Sequence, residues 1–255
     1  MDPLFPINKD VMEGYYLYCV VETAKQFLQG FLETGVEIIP FQSFTFLVRP
    51  VDSLISFDDK QKVEDLVRDH QLVSEAALKS NLPVVPFAVG NIIRGGKSEL
   101  KTWMKKNYNR LLKNMEKIRD RAEYNVKIFW NPSEYIVQLS KTNMELKLLK
   151  EKCQDKQSGA AYLYEQRFKK ALEGELENQA VLLFQKFYAK IRNCVTEFVI
   201  DKIKKEEGKK QMLLHVSCLV NKDHESILGD ILDEIEREGY PVCFTGPWPA
   251  YSFVN

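Results

Sequence analysis

The chain has 255 residues, with 36 Lys and Arg against 36 Asp and Glu, three His and five Cys. Zero net charge gives no global pull toward nucleic acid or an acidic membrane, and no segment approaches the ~18 consecutive apolar residues of a membrane span. The length suits two ordinary domains or one large one. The start, Met-Asp-Pro-Leu-Phe-Pro, lacks the basic and apolar regions of a secretion signal. Cys19, Cys153, Cys194, Cys218 and Cys243 form no C-x-x-C pair and no Cys/His cluster. The chain therefore reads as soluble and cytosolic, with reduced thiols and no metal site. Cys19, Cys218 and Cys243 lie in apolar runs and are expected to be buried.

Residues 14–21, Gly-Tyr-Tyr-Leu-Tyr-Cys-Val-Val, are aromatic and β-branched and predict a buried strand. A short helix over 26–33 follows, weakened by Gly30. Residues 36–48 predict one strand, in which Phe44, Phe46 and Val48 alternate with Ser43, Thr45 and Leu47 before Arg49-Pro50 ends it. Over 57–80, Val63, Leu66, Val67, His70, Val73, Ala77 and Leu78 recur at helical spacing behind Asp58 and Asp59. Residues 84–93 form a third strand-like run, broken at Gly90. Ser98 is the expected cap of a helix over 97–121, whose stripe holds Leu100, Trp103, Met104, Leu111, Met115 and Ile118. This order predicts an N-terminal α+β sandwich over residues 1–122.

A second domain, 123–255, opens with a strand over 124–130, stopped by Asn131-Pro132. From 133 to about 208 the chain reads as helical, with a polar break over 154–159 and a candidate bend at Gly174. The longer helical piece carries Leu172, Leu176, Leu183, Phe187, Ile191, Cys194, Phe198 and Ile203 on its apolar side. A charged turn over 202–210, a strand over 211–220, a helix over 222–238 capped by Gly239, and a strand over 241–245 complete it. Strand, helices, strand, helix, strand predicts a modified ferredoxin-like fold with a long helical insertion, so the class is α+β with two domains.

The last stretch, Thr245-Gly-Pro-Trp-Pro-Ala-Tyr-Ser-Phe-Val254, packs two prolines and three aromatics into ten residues. Pro249 keeps Trp248 out of the helical region. A strand is expected from Ala250, with Tyr251 and Phe253 on one face and Ser252 and Val254 on the other. Chain ends fray unless tied down, so this one either closes a core or offers an aromatic edge to a partner.

Two stretches carry competing chemistry. The run 84–98 places Gly96-Lys97-Ser98 at a helix start, as a nucleotide-binding phosphate loop would. That motif, however, needs glycine where Asn91 stands, and Gly90 comes one residue early. The helix 97–121 holds nine Lys and Arg against three Asp and Glu, as a nucleic-acid-binding face would, but Trp103 falls on its apolar stripe. A solvated face, or one docking an acidic protein surface, fits better. His70, His215 and His224 pair with no motif-borne Ser or Cys, so no nucleophile–base arrangement is legible.

The tail Gly246-Pro-Trp-Pro-x-Tyr-Ser-Phe253 resembles the ending of the gas vesicle GvpF/GvpL family. Tyr15–Val21 is similar to the family's opening strand, with Cys19 where glycine is commoner. His70, Val73, Pro83-Val-Val-Pro86 and Gly90 resemble its middle block, although Ala88-Val89-Gly90-Asn91 replaces the usual Arg-Phe-Gly-Thr. Glu123, Val126 and Lys127 match the start of the second half, Tyr162-Leu163 and Arg167 its central helix. Ala250 stands where proline is preferred. The resemblance implies a non-enzymatic accessory or minor structural protein of gas vesicles, located at the vesicle within the cytoplasm. It implies no cofactor, and binding to the small hydrophobic major shell protein and to other accessory proteins. Tyr162, Arg167, Trp248, Tyr251 and Phe253 are the candidate partner-binding residues.

Overall fold

The computed structural model describes residues 14–22, 35–51, 60–80, 82–154, 160–203 and 210–254. The helix expected over 26–33, Asp58 and Asp59, most of the break at 154–159 and most of the charged turn at 202–210 lie outside them. The chain divides into two compact units: the residues before Tyr124 together with those from Pro247 onward, and Tyr124–Gly246 between them. The last residues thus belong with the first unit, although the sequence pattern had placed them in the second.

The first unit is built on β1 (Gly14–Glu22), which is buried along almost its whole length. β3 (Phe44–Val51) pairs with β1 antiparallel, with a register shift between Leu17 and Cys19. β2 (Glu37–Phe41) pairs with β3. The single strand expected over 36–48 is therefore a hairpin. Gln42, at φ 54, makes the turn beside Ser43, a backbone state open to polar residues in tight turns. β4 (Val84–Pro86) and β5 (Ile92–Arg94) share the other side of β1, separated where Gly90 breaks the run.

Helices cover both faces of this sheet. α1 (Lys60–Leu78) lays Val73 and Ala77 against Tyr16, Tyr18, Val21 and Leu47. α2 (Lys97–Ile118) buries the stripe Leu100, Met104, Leu111, Met115 and Ile118, and its Tyr108 ring lies 5.1 Å from Phe44. Trp103 is half-buried, edge-on to Phe87 at 5.7 Å. The cap of α2 is Gly96 rather than Ser98, its amide donating to the Glu99 carboxylate at 2.8 Å.

The second unit holds a four-stranded sheet in the order β7-β8-β6-β9. β6 is Arg121–Trp130, β7 Glu197–Ile200, β8 Gln211–Asn221 and β9 Val242–Trp248. Between β6 and β7 run α3 (Pro132–Thr142), α4 (Met144–Gln154) and α5 (Ala161–Arg192). Asn143 separates the first two. Its amide closes α3 on the Leu139 carbonyl while its side chain accepts from the Leu146 amide, as helix-capping Asn does. α5 runs through Gly174 without a break. It ends at Arg192, so Phe198 is not helical but part of β7, whose β-branched Val199 and Ile200 favour extended backbone.

α6 (Glu225–Arg237) follows β8, buries Leu228, Leu232 and Ile235, and ends before Gly239 at φ 96. Lys186 and Lys190 of α5 pair with Glu238, and Lys190 also with Glu234, which ties the two helices side by side. Phe187 is fully buried, its ring 4.8 Å from Tyr240. Cys19 and Cys218 are buried as expected, but Cys243 is exposed. It lies on β9, an end strand of the sheet whose middle residues are all exposed.

Truncating Phe187 to Ala should cost about 3–5 kcal/mol, the usual loss for a fully buried aromatic. Val181→Ala on the same helix, at a residue 54% exposed, should stay within about 0.5 kcal/mol. Urea unfolding of both variants checks the pair.

Candidate functional site

The end of the chain forms a strap on the first unit. Beyond β9, Pro249 and Ala250 are buried, and two local backbone bonds fold the chain into turns: Tyr251 amide to Pro249 carbonyl at 2.7 Å, and Phe253 amide to Ala250 carbonyl at 3.2 Å. This replaces the strand expected from Ala250. The cause is Glu123, a carboxylate only 4% exposed. It accepts from the Ser252 amide at 2.9 Å and from the Ser252 hydroxyl at 2.8 Å. A buried charge is costly unless hydrogen-bonded, and this two-point capture bends the strap toward it.

The turn separates the two aromatics expected on one face. Phe253 goes inward at 4% exposure, with the Lys117 ammonium 5.8 Å from its ring centre. Tyr251 stays 39% exposed, its ring 6.1 Å from that of His70. Ser74 turns its hydroxyl toward Tyr251, and burial pushes the Tyr251 phenol up. Trp248 is half-buried where β9 ends.

Beneath Tyr251 lies a polar network with one line from each neighbouring element. Tyr16 and Tyr18 share a face of β1, their rings 4.8 Å apart. The Tyr16 hydroxyl accepts from the Gly90 amide at 3.4 Å and lies 2.7 Å from His70 Nδ1. His70 Nε2 faces the Phe87 carbonyl, outside hydrogen-bonding geometry. Tyr18 donates to Asp69, and Arg49 grips the same carboxylate with two nitrogens at 2.9 and 3.1 Å. The guanidinium also stands 5.5 Å from the Tyr18 ring centre.

Burial dominates the electrostatics here. It pushes the Tyr16 phenol up to about 12, raises that of Tyr18 further, and lowers His70 despite the neighbouring Asp69 charge. The Tyr16 and Tyr18 hydroxyls, His70 Nδ1 and the Asp69 carboxylate are each engaged within this network. The network holds the sheet, α1 and the strap together.

Tyr162 and Arg167 belong to the other unit, on the opening turns of α5, and both are exposed. Tyr162 is 68% and Leu163 61% exposed; Met144 and Leu148, four residues apart on α4, are 73% and 53% exposed. α4 and α5 are tied by the Lys152 ammonium over the Tyr164 ring at 5.2 Å, and Asn143 donates to Glu175 at 3.2 Å. The exposed Met144 and Leu148 escaped the sequence reading because a weakly amphipathic helix does not declare which side its bundle covers. Ser252 and Glu123 escaped it because they are 129 residues apart.

The glycine-rich stretch has a different geometry from a phosphate cradle. Ile92–Arg94 is strand, and Gly95, at φ 102, lies where an added Cβ would come within 2.5 Å of Glu99. The Glu99 carboxylate takes the Gly96 amide at the head of α2, placing a negative charge where an anionic ligand would sit.

Replacing Phe253 by Ala should destabilise the first unit by about 3–4 kcal/mol, and Ser252→Ala by about 1–2 kcal/mol, since it leaves a buried carboxylate short of a donor. Differential scanning calorimetry and hydrogen exchange at Tyr251–Phe253 check both. Acid should loosen the same region. His70 is neutral in the fold with its pKa held below the free value of 6.5, so its contribution is complete above that pH and is lost as pH falls toward the folded value. The wild-type melting temperature should therefore drop more steeply below about pH 6.5 than that of His70→Gln, which keeps an acceptor for Tyr16. Equal slopes would remove His70 from the acid response.

Comparison with known proteins places this architecture. A curated relative, Gas vesicle protein L of Haloferax mediterranei, is 24% identical over an alignment of 293 positions, spanning 98% of this chain and 90% of that protein. Among solved structures, the gas vesicle protein GvpF of Anabaena sp. PCC7120 superposes with a TM-score of 0.78 at 18% identity, covering 95% of this chain and 98% of that one. GvpF of Microcystis aeruginosa gives 0.69 at 16% identity, covering 95% and 99%. The mixed helix and antiparallel-sheet architecture of this chain is that of the GvpF structures. Residues 14–255 match the family described as gas vesicle synthesis protein GvpL/GvpF, and the chain belongs to that family.

Proposed function

We propose that this chain is a non-enzymatic assembly protein of gas vesicles, which binds the small hydrophobic major shell protein and other accessory proteins at the vesicle, within the cytoplasm. The observation that carries this reading is the family match across residues 14–255. Among the described residues, no helix is long and apolar enough to cross a membrane.

The domain reading follows the same line. An N-terminal α+β sandwich over 1–122 keeps the returning strap, and the rest is a modified ferredoxin-like fold. The sheet order β7-β8-β6-β9, with helices joining β6 to β7 and β8 to β9, supports that assignment. The enlarged first crossover, α3 to α5, is the helical insertion.

An assembly protein must hold an aggregation-prone partner without itself aggregating. Apolar side chains spaced among charges suit that task better than one continuous patch. Tyr162 and Arg167, beside Leu163, are the contact residues on α5. Trp248 and Tyr251 supply the aromatic surface of the strap, and Phe253 anchors it. Co-expression with the small shell protein, followed by affinity capture, tests the reading. Wild type and Lys97→Ala should capture shell protein equally, whereas Tyr162→Ala/Arg167→Ala should capture roughly tenfold less. Failure of the wild type to capture shell protein would overturn the proposal.

A further inference from the structure

The outward side of α2 carries charge that the fold does not use. Lys101, Lys105, Lys106, Arg110 and Lys113 are all exposed, and no Asp or Glu interrupts them between Glu99 and Glu116. Among the described residues none of the five enters an ion pair or a hydrogen bond. Other helices are arranged differently. Lys169, Lys186 and Lys190 of α5 are paired with glutamates, and the lysines of α4 are interleaved with Glu145 and Glu151. Like charges crowd on α2 at a cost: Lys101 and Lys105, and Lys106 and Arg110, stand four residues apart, and Lys113 three beyond Arg110, spacings at which equal charges destabilise a helix. The chain as a whole has as many bases as acids, so the excess belongs to this place and not to the composition.

The shape of the ridge narrows what it fits. Residues 101–113 run about 18 Å along the helix, with cations about 6 Å apart at four-residue spacing. Carboxylates four residues apart on a second helix have the same repeat. Glu99 and Glu116 close the ridge at its two ends. A nucleic acid presents phosphates without a break and sets some of them against these carboxylates, whereas an acidic helix of about three turns ends where the ridge ends. The aromatics that could stack on bases are committed elsewhere, Trp103 against Phe87 and Tyr108 against Ser43 and Phe44. α2 exposes no large apolar residue to enter a lipid surface. A second copy fits poorly: on α6 the exposed Asp230 and Asp233 share their side with Arg237, and Glu234 and Glu238 are taken by lysines of α5.

We propose that the outward side of α2 docks an acidic helical segment of a partner protein, about three turns long, with carboxylates at four-residue spacing facing residues 101–113. Exposed ion pairs are individually weak. The contact is therefore fast, reversible and salt-sensitive, and its work is to steer and orient the partner. It uses none of the contact residues on α5 or the strap.

The test uses the full chain and three labelled probes at about 20 mM salt, where charge is little screened. The probes are an alanine-based helical peptide with Glu at every fourth position, a DNA duplex, and phosphatidylserine vesicles. Fluorescence anisotropy should show the peptide bound, and released at about 300 mM salt. Lys105→Glu/Lys106→Glu/Lys113→Glu should weaken peptide binding by more than about tenfold. Its melting temperature should be no lower than that of the wild type, because each new Glu gains a basic neighbour three or four residues away. Lys141→Glu/Lys147→Glu/Lys150→Glu, at exposed lysines of α3 and α4 and with the same change in net charge, should bind as the wild type does. No binding of the peptide, an α2 variant that binds as before, or equal loss in both variants would overturn the proposal. A duplex or vesicle that binds more tightly than the peptide through the same three lysines would overturn the choice of a protein partner.

Discussion

The first unit depends on a strand covered from both sides. With α1 on one face of β1 and α2 on the other, the chain from Tyr16 to Val21 is at most 1% exposed. Such a strand is apolar on both faces, yet β1 carries three tyrosines, and a buried hydroxyl needs a partner. The fold provides one for each inward-facing ring. Tyr16 reaches His70, and Tyr18 reaches an Asp69 already gripped by Arg49. Because the partners come from α1 and β3, satisfying two hydroxyls fixes how helix and hairpin dock on the central strand.

The strap extends that logic to the end of the chain. Glu123 lies just before the point where the backbone leaves the first unit, and Ser252 just after it returns. One buried carboxylate thus joins exit and re-entry. An eight-residue segment has little area to bury, so specificity comes from a few points: a forked hydrogen bond, one buried ring and one small buried alanine. Ala250 is 3% exposed.

Within the second unit, ion pairs between α5 and α6 and the Phe187–Tyr240 contact hold the helical layer on the sheet, while β7 is left with one open side. Stability and availability are therefore separated. Buried aromatics and paired charges sit between the helices, and the exposed apolar residues gather on α4, on α5 and along the β7 edge. That division leaves apolar side chains exposed without weakening the core.

Much of this was legible in the sequence because it is local. The burial of 14–21, the stripe of α2, the helix before Gly239 and the α+β class follow from spacing and side-chain type, and the motif order pointed to the family. What tertiary structure decided is non-local. The hairpin at Gln42, hidden within one continuous apolar run, is set by which residues find partners in β1. The end of α5 before β7 was missed because Phe198 and Ile203 continue a helical spacing that sheet pairing with β8 overrides. Cys243 is exposed because its strand ends the sheet, which hydrophobicity along the chain cannot report. The strap is a turn because a carboxylate 129 residues away captures Ser252. Local sequence sets how each segment prefers to fold, but a hydrogen bond between distant residues is specified only once the chain has brought both ends to one place.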